Sequence, residues 1–301
     1  MSLLVTGSIA IDSVKTPFAV RTESLGGSAV YFTMAASIFG PVRLVGVIGG
    51  DCPFDLKETF AGRSVDLRGL EQRPKSKTFR WAGSYMGQMD ERTTDLLELN
   101  VLAEAPPPVP ACFRDSQFVF LANTSPNLQQ QLLWQLDGPG FVAADTMDCW
   151  IRKSKKDLLD LLRQIDCLII NQQEAILLAG KPNPILAAQE ILKMGVRLVV
   201  VKRGQAGAIV VSADGWQFVM PAYPVQQVVD PTGAGDSFAG GMLGYLASVN
   251  RTDEQAMRLA IAYGTVAASF AIEGFSLDRL SNVTRQDLDQ RLDHLRELTR
   301  F

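Results

Sequence analysis

The chain has one histidine in 301 residues. That scarcity excludes a Ser-His-Asp triad and any multi-histidine metal site, so acid–base chemistry falls to carboxylates or lysine. His294 itself lies in "TRQDLDQRLDHLRELTR", where Leu288, Leu292, Leu295 and Leu298 recur at helical spacing, and it reads as a surface residue of that helix. The four cysteines, Cys52, Cys112, Cys149 and Cys167, include no C-x-x-C pair and outline no disulfide framework. Scattered free thiols suit a reducing compartment. A basic excess is also missing. The formal net charge is −3, which argues against a nucleic-acid partner. The one basic cluster, Arg152, Lys153, Lys155 and Lys156, reads as a solvated helix start. No apolar run is long enough to cross a bilayer, so no membrane role is expected. The opening "MSLLVTGSIAID" lacks the basic flank of a secretory signal. The expectation is a cytoplasmic protein acting on small molecules.

What is present is an alternation of short apolar runs and helical patterns. "LLVTGSI", "VRLVGVIG", "QFVFLA", "FVAAD", "CLIIN" and "RLVVVK" read as strands. Helical patterns separate most of them, including "SAVYFTMAASIFG", closed by Gly40, and "DCPFDLKETFAG", with Asp51 as its cap, Pro53 in its first turn and Gly62 at its stop. "AGAIVVSADGWQFVM" reads as a hairpin turning at Asp214-Gly215, and the pattern from Gly235 onward is helical. This alternation predicts an α/β fold of three layers, αβα, around a mostly parallel sheet. Two segments, about 12–24 and 77–102, carry strand-like residues outside the series and predict a small β-sheet lid inserted in a single 1–301 domain. "AEAPPPVPA" reads as a stiff connector back to the core.

The stretch with the most chemistry is "VVDPTGAGDSF". Gly233, Ala234 and Gly235 offer N–H groups with little side-chain obstruction, and a helix begins nearby. Helix N-termini favour anions, phosphate above all. A carboxylate at Asp236 opposes simple phosphate binding, yet it suits a base that takes a proton from a hydroxyl attacking phosphorus. Gly240, Gly241 and Gly244 fit a helix packed tightly against the sheet.

"DPTGAGDSFAGGML" resembles the signature of the PfkB (ribokinase-like) kinases, usually D-T-x-G-A-G-D, with Pro231 in place of the threonine. Three further elements agree in order. "SLGGSAVY" resembles the family's Gly-Gly motif, where Gly26 and Gly27 let backbone approach substrate. "NQQE" matches N-x-x-E, which implies that Asn171 lies at the nucleotide and that Glu174 helps hold magnesium through water; alone it also reads as a helix cap. "VKRGQAG" places Lys202, Gly204 and Gly207 near the nucleotide, with Thr232 from the signature. The resemblance implies ATP, Mg2+ and phosphorylation of a hydroxyl of a sugar or nucleoside, usually a primary alcohol. It implies Asp236 as base and the Gly233–Asp236 backbone as anion hole. Asp12 matches the substrate-hydroxyl carboxylate, or caps a turn. Asp230 contributes to a monovalent-cation (K+) site, or braces the loop.

The acceptor is less legible. Tyr31 stands where many relatives carry an asparagine five residues past the first glycine, which replaces an amide with a ring and one polar tip. Trp81 and Tyr85 either stack on substrate or pack the lid. Asp90, Arg92 and Asn100 are polar candidates beside them, and Arg92 either binds a phosphate already on the substrate or faces solvent. The family often forms homodimers through lid edges. Two other classes fit the sequence less well. A non-catalytic ligand-binding regulator should have lost Asp236 or the glycines, and neither is lost. A dinucleotide oxidoreductase should carry its Gly-rich turn after an early strand, whereas "GAGD" comes late.

Overall fold

The structure, a computed structural model, describes residues 1–300 except Gln88, Asp90 and Glu91. Nine strands form one sheet and four a second. In chain order they are β1 (Leu3–Thr6), β2 (Ala10–Lys15), β3 (Val20–Gly26), β4 (Val42–Gly49), β5 (Val65–Arg73), β6 (Phe79–Tyr85) and β7 (Arg92–Glu98). Then come β8 (Phe118–Leu121), β9 (Phe141–Asp145), β10 (Cys167–Asn171), β11 (Leu198–Lys202), β12 (Ala208–Ser212) and β13 (Gln217–Met220). The helices are α1 (Ser28–Ala36), α2 (Leu56–Thr59), α3 (Pro126–Leu133), α4 (Asp148–Lys153) and α5 (Lys155–Leu162). They continue as α6 (Gln172–Ala179), α7 (Pro184–Leu192), α8 (Ala234–Val249), α9 (Glu254–Ala271) and α10 (Arg285–Leu298).

The large sheet runs β13-β12-β11-β10-β9-β8-β1-β4-β5. Every neighbouring pair from β11 to β5 is parallel, and the β12–β13 hairpin closes one side antiparallel. Successive residues of a strand point to opposite faces, and here both faces are covered. Leu3, Val5, Phe118, Phe120, Ile169 and Val200 join the core beneath α1, α8, α9 and α10. Leu4, Val119, Leu121, Leu168 and Val199 join the core beneath α3 to α7. This is the expected three-layer αβα arrangement.

The small sheet runs β3-β2-β6-β7 and is built from the two strand-like segments. Its one parallel pair is β2–β6. Val14, Trp81, Tyr85 and Met89 form its own core against Val228 and Phe275. Every residue of β7 is exposed on this chain.

Several local expectations change. The cap of α2 is Asp55, whose carboxylate accepts from the Lys57 and Glu58 N–H groups. Asp51 instead accepts from the Thr78 N–H at 2.6 Å and pairs with Arg80, so it ties the small sheet to the end of β4. Pro53 lies before α2, and that helix ends at Thr59, ahead of Gly62. Helix α1 ends at Ala36, short of Gly40. Strand β5 departs from the expectation: it is an outer, mostly half-buried strand, so its "VDLRGLEQR" lacks the continuous apolar run of the inner strands. The glycines of α8 do not face the sheet. A Cβ at Gly241 would lie 2.8 Å from the Tyr263 carbonyl and the Ala267 methyl of α9. Gly240 and Gly244 meet α1 and its end.

Candidate active site

The parallel strands end on one side of the molecule, where an open α/β sheet places its ligands. Asp145, Asn171 and Lys202 are the last residues of three adjacent strands, β9, β10 and β11, and Asn171 and Lys202 pair in register. The start of α8 lies across from them, and the small sheet covers the far side. Together they line a cleft of about 240 Å³.

At the start of α8, Gly233 is the N-cap residue, with φ 74°, a left-handed conformation that favours glycine. A Cβ there would also fall on the Tyr31 ring. Tyr31 is buried in α1 beside the cleft, so its ring supports the loop from below. No side chain caps α8, and among the described residues the Gly233 and Gly235 N–H groups have no backbone partner. The Ala234 N–H is taken by the Pro231 carbonyl at 3.2 Å, and Ala234 does not line the cleft. The free donors are therefore narrower than the full 233–236 run. The Lys202 ammonium would lie 2.6 Å from a Cβ at Gly235, so a cation and free N–H groups converge on one spot.

Asp236 enters from the first turn of α8. Burial pushes its carboxyl up to about 6, while Lys202 and then Arg92 oppose that rise. Asp12 shares the cleft. Burial pushes it up to about 8, against the Gly27 N–H that favours its ionised form. A Cβ at Gly26 would fall on the Asp12 carboxylate, and one at Gly27 on the Ser8 carbonyl, so this glycine pair admits the close approach. Gly27 lines the cleft and Gly26 backs it.

Asp230 sits beneath the loop. Its Oδ1 accepts from the Thr232 N–H at 2.9 Å, while Oδ2 is buried without a partner. The Thr232 hydroxyl donates to Tyr85 Oη at 3.2 Å, which joins the loop to the small sheet. Trp81 donates to Thr94 and carries the Arg92 guanidinium over its ring at 5.5 Å. Trp81, Tyr85 and Arg92 all line the cleft. Asn100 does not; its amide is spent on the Thr78 carbonyl. Asp90 lies outside the described residues.

Asn171 and Glu174 form a reciprocal capping box at α6. Both also line the cleft, and burial raises the Glu174 carboxyl. Gly204 and Gly207 do not line the cleft. They shape the β11–β12 turn, where a Cβ at Gly207 would strike the Met220 carbonyl.

A model of the pfkB family of carbohydrate kinases matches residues 9–278. The chain belongs to that family. A cytidine kinase of Thermococcus kodakarensis is 29% identical over 269 residues, covering 87% of this chain and 94% of that protein. Two solved structures superpose over 97% of the chain. One is aminoimidazole riboside kinase from Salmonella enterica with aminoimidazole riboside and an ATP analog (TM-score 0.78, 19% identity, all of that chain covered). The other is a putative ribokinase II from E. coli with ATP and Mg2+ (TM-score 0.74, 20% identity, 99% of that chain covered).

Among the cleft residues of this pfkB-family chain that the sequence did not single out are Asp145, Asn123 and Trp150. Asp145 is buried, its Oδ1 has no partner, and burial followed by the Asp236 charge raises its carboxyl well above the usual range. Its position as the last residue of the apolar run "FVAAD" was the available signal. Asn123, just past the apolar run of β8, had a similar signal, whereas Trp150 left none, because the short helix α4 carries no clear apolar period.

Proposed function

We propose that the chain is a kinase that moves the γ-phosphoryl group of ATP to the primary hydroxyl of a sugar or nucleoside. The observation that carries this reading is the pairing at α8. A half-buried carboxylate, pushed up to about 6, stands beside free N–H groups and Lys202, in the same cleft as Asp12. A general base works best with a pKa near the operating pH, and fixed N–H donors suit charge that develops on phosphoryl oxygens.

In this mechanism Asp12 accepts a hydrogen bond from an acceptor hydroxyl and orients the sugar. Asp236 takes the proton of the attacking hydroxyl. The new O–P bond forms as the bond to ADP breaks, and the proton stays on the Asp236 carboxyl. The Gly233 and Gly235 N–H groups and Lys202 hold the phosphoryl charge. The Tyr85–Thr232 bond holds the small sheet over the site, which limits water.

The buried carboxylates outnumber the facing cations, and Asp145 Oδ1 is unsatisfied. Those features fit a divalent ion, since Mg2+ commonly takes one or two carboxylates plus substrate phosphates. Asp145 and Glu174 would hold it, directly or through water. When bound, such an ion neutralises β- and γ-phosphoryl charge. Among the described residues no group of three or more His, Cys, Asp or Glu side chains is placed to hold a metal ion. The unpartnered Asp230 Oδ2 likewise fits a monovalent cation such as K+. Among the described residues no helix is long and apolar enough to cross a membrane. The exposed β7 edge suits pairing with a second copy.

The test is coupled ADP release with magnesium-ATP over ribose, fructose, fructose 6-phosphate, myo-inositol, adenosine and cytidine, with and without potassium. A strong rate that depends on an acceptor with a primary hydroxyl supports the reading; a rate on myo-inositol alone, whose hydroxyls are all secondary, contradicts it. ATP binding with no acceptor-dependent rate on sugars or nucleosides contradicts it.

A further inference from the structure

We propose that Asn123, oriented by Trp150, is a specificity-determining hydrogen-bond donor to the phosphate acceptor; this deepens the kinase reading above and rests on it. Asn123 follows β8, and Trp150 projects from α4, which follows β9. Both line the cleft, as do Thr124 and Thr146 beside them. Trp150 Nε1 lies 3.1 Å from Asn123 Oδ1. An indole N–H only donates, so the amide atom facing it must be the oxygen. That contact removes the twofold ambiguity of the asparagine side chain. The Nδ2 group is turned the other way, where its protein partner is the Met147 thioether at 3.5 Å, a weak acceptor. An amide nitrogen carries two N–H bonds, so strong donor capacity remains at the cleft wall.

A second observation points to a ligand at the same place. Thr124 and Thr146 are 7% and 6% exposed, and the hydroxyl oxygen of each has no partner among the described residues. Buried polar groups are nearly always satisfied, so two orphan hydroxyls flanking an oriented amide describe a wall that a polar ligand completes. The chemistry follows from polarity. Nδ2–H donates only, so the acceptor molecule must present an oxygen or ring nitrogen free to accept. The hydroxyls adapt as donor or acceptor and suit further hydroxyl or ring-carbonyl groups. Trp150 touches no reacting atom in this scheme; it is a positioning residue.

The experiment is a double-mutant cycle on the best acceptor from the panel, reading acceptor KM, ATP KM and kcat separately. Asn123→Asp keeps the shape and removes the donor, and Asn123→Ala controls for the added charge. Trp150→Phe keeps an aromatic ring and frees the amide to rotate. Loss of one well-placed bond predicts an acceptor KM about tenfold higher in both Asn123 variants, with ATP KM within about twofold of wild type. Trp150→Phe gives a smaller rise of the same sign, and adding it to Asn123→Ala gives no further rise, because the residue it orients is already gone. Acceptor KM unchanged in Asn123→Ala, additive effects in the double variant, or equal rises in ATP and acceptor KM would each overturn the proposal. A wild-type chain that turns over no acceptor overturns the kinase reading beneath it, which is a distinguishable result.

Discussion

Replacing Asp236 by asparagine removes the proposed base while keeping its size and burial. General base catalysis contributes about 10²- to 10⁴-fold, so the variant should lose that much in kcat, equivalent to about 3–5 kcal/mol of barrier. ATP affinity should change little, because the free Gly233 and Gly235 donors and Lys202 are untouched. The pH profile makes the test sharper. The Asp236 carboxyl stands at about 6 because burial disfavours its charge more than Lys202 and Arg92 favour it. The catalytic form is the ionised one, so kcat/KM should rise with pH and level off above about 6. One unit below that midpoint it should have fallen to about a tenth of the plateau. Asp12 stands at about 8, so any limb it causes lies well apart. The assay is coupled ADP release with saturating magnesium-ATP from pH 5 to 9, on wild type and D236N. The base assignment fails if D236N stays within tenfold of wild type, or if it keeps the limb near 6.

Four further outcomes follow from the same geometry. Lys202→Met removes the main group that opposes the rise at Asp236, so the acid limb of the pH profile should move above 6. Gly241→Ala puts a methyl 2.8 Å from the α9 backbone and should cost about 1–3 kcal/mol of stability, read as a lower midpoint in urea. Tyr85→Phe removes the hydroxyl that accepts from Thr232 and should raise acceptor KM several-fold while leaving ATP binding in place. The fourth concerns stability and pH. Asp12 binds its proton more tightly in the folded chain, so it contributes stability that is complete below about 4 and lost as pH rises through about 8. The ligand-free D12N variant should therefore melt higher than wild type at pH 8.5, and the gap should shrink toward pH 5.

The α/β layering was legible because the strands buried on both faces, such as "CLIIN" and "RLVVVK", read as continuous apolar runs. The α8 loop was legible because its glycines and aspartate are contiguous in sequence. Features made by distant residues were not. Asp51 looked like a cap because its true partner, Thr78, lies 27 positions away. Strand β5 has charge where the inner strands have valine, because its outer position leaves it partly exposed. Gly204 and Gly207 sit in a motif that resembles a nucleotide contact, yet the space around Gly207 is filled by β13. Asp145 carried half of its signal, a carboxylate ending a buried strand, while the Asn123–Trp150 pair exists only once β8 and α4 are brought together.

The central claim is transfer of a phosphoryl group to a primary alcohol. Proton-coupled phosphorus NMR of a reaction with magnesium-ATP and the responding acceptor reads it directly. The account predicts loss of the γ-phosphate signal and growth of a phosphomonoester resonance split into a triplet by a neighbouring CH2, absent with D236N on the same timescale. Inorganic phosphate as the sole product, or a phosphomonoester doublet from a secondary alcohol, would contradict it.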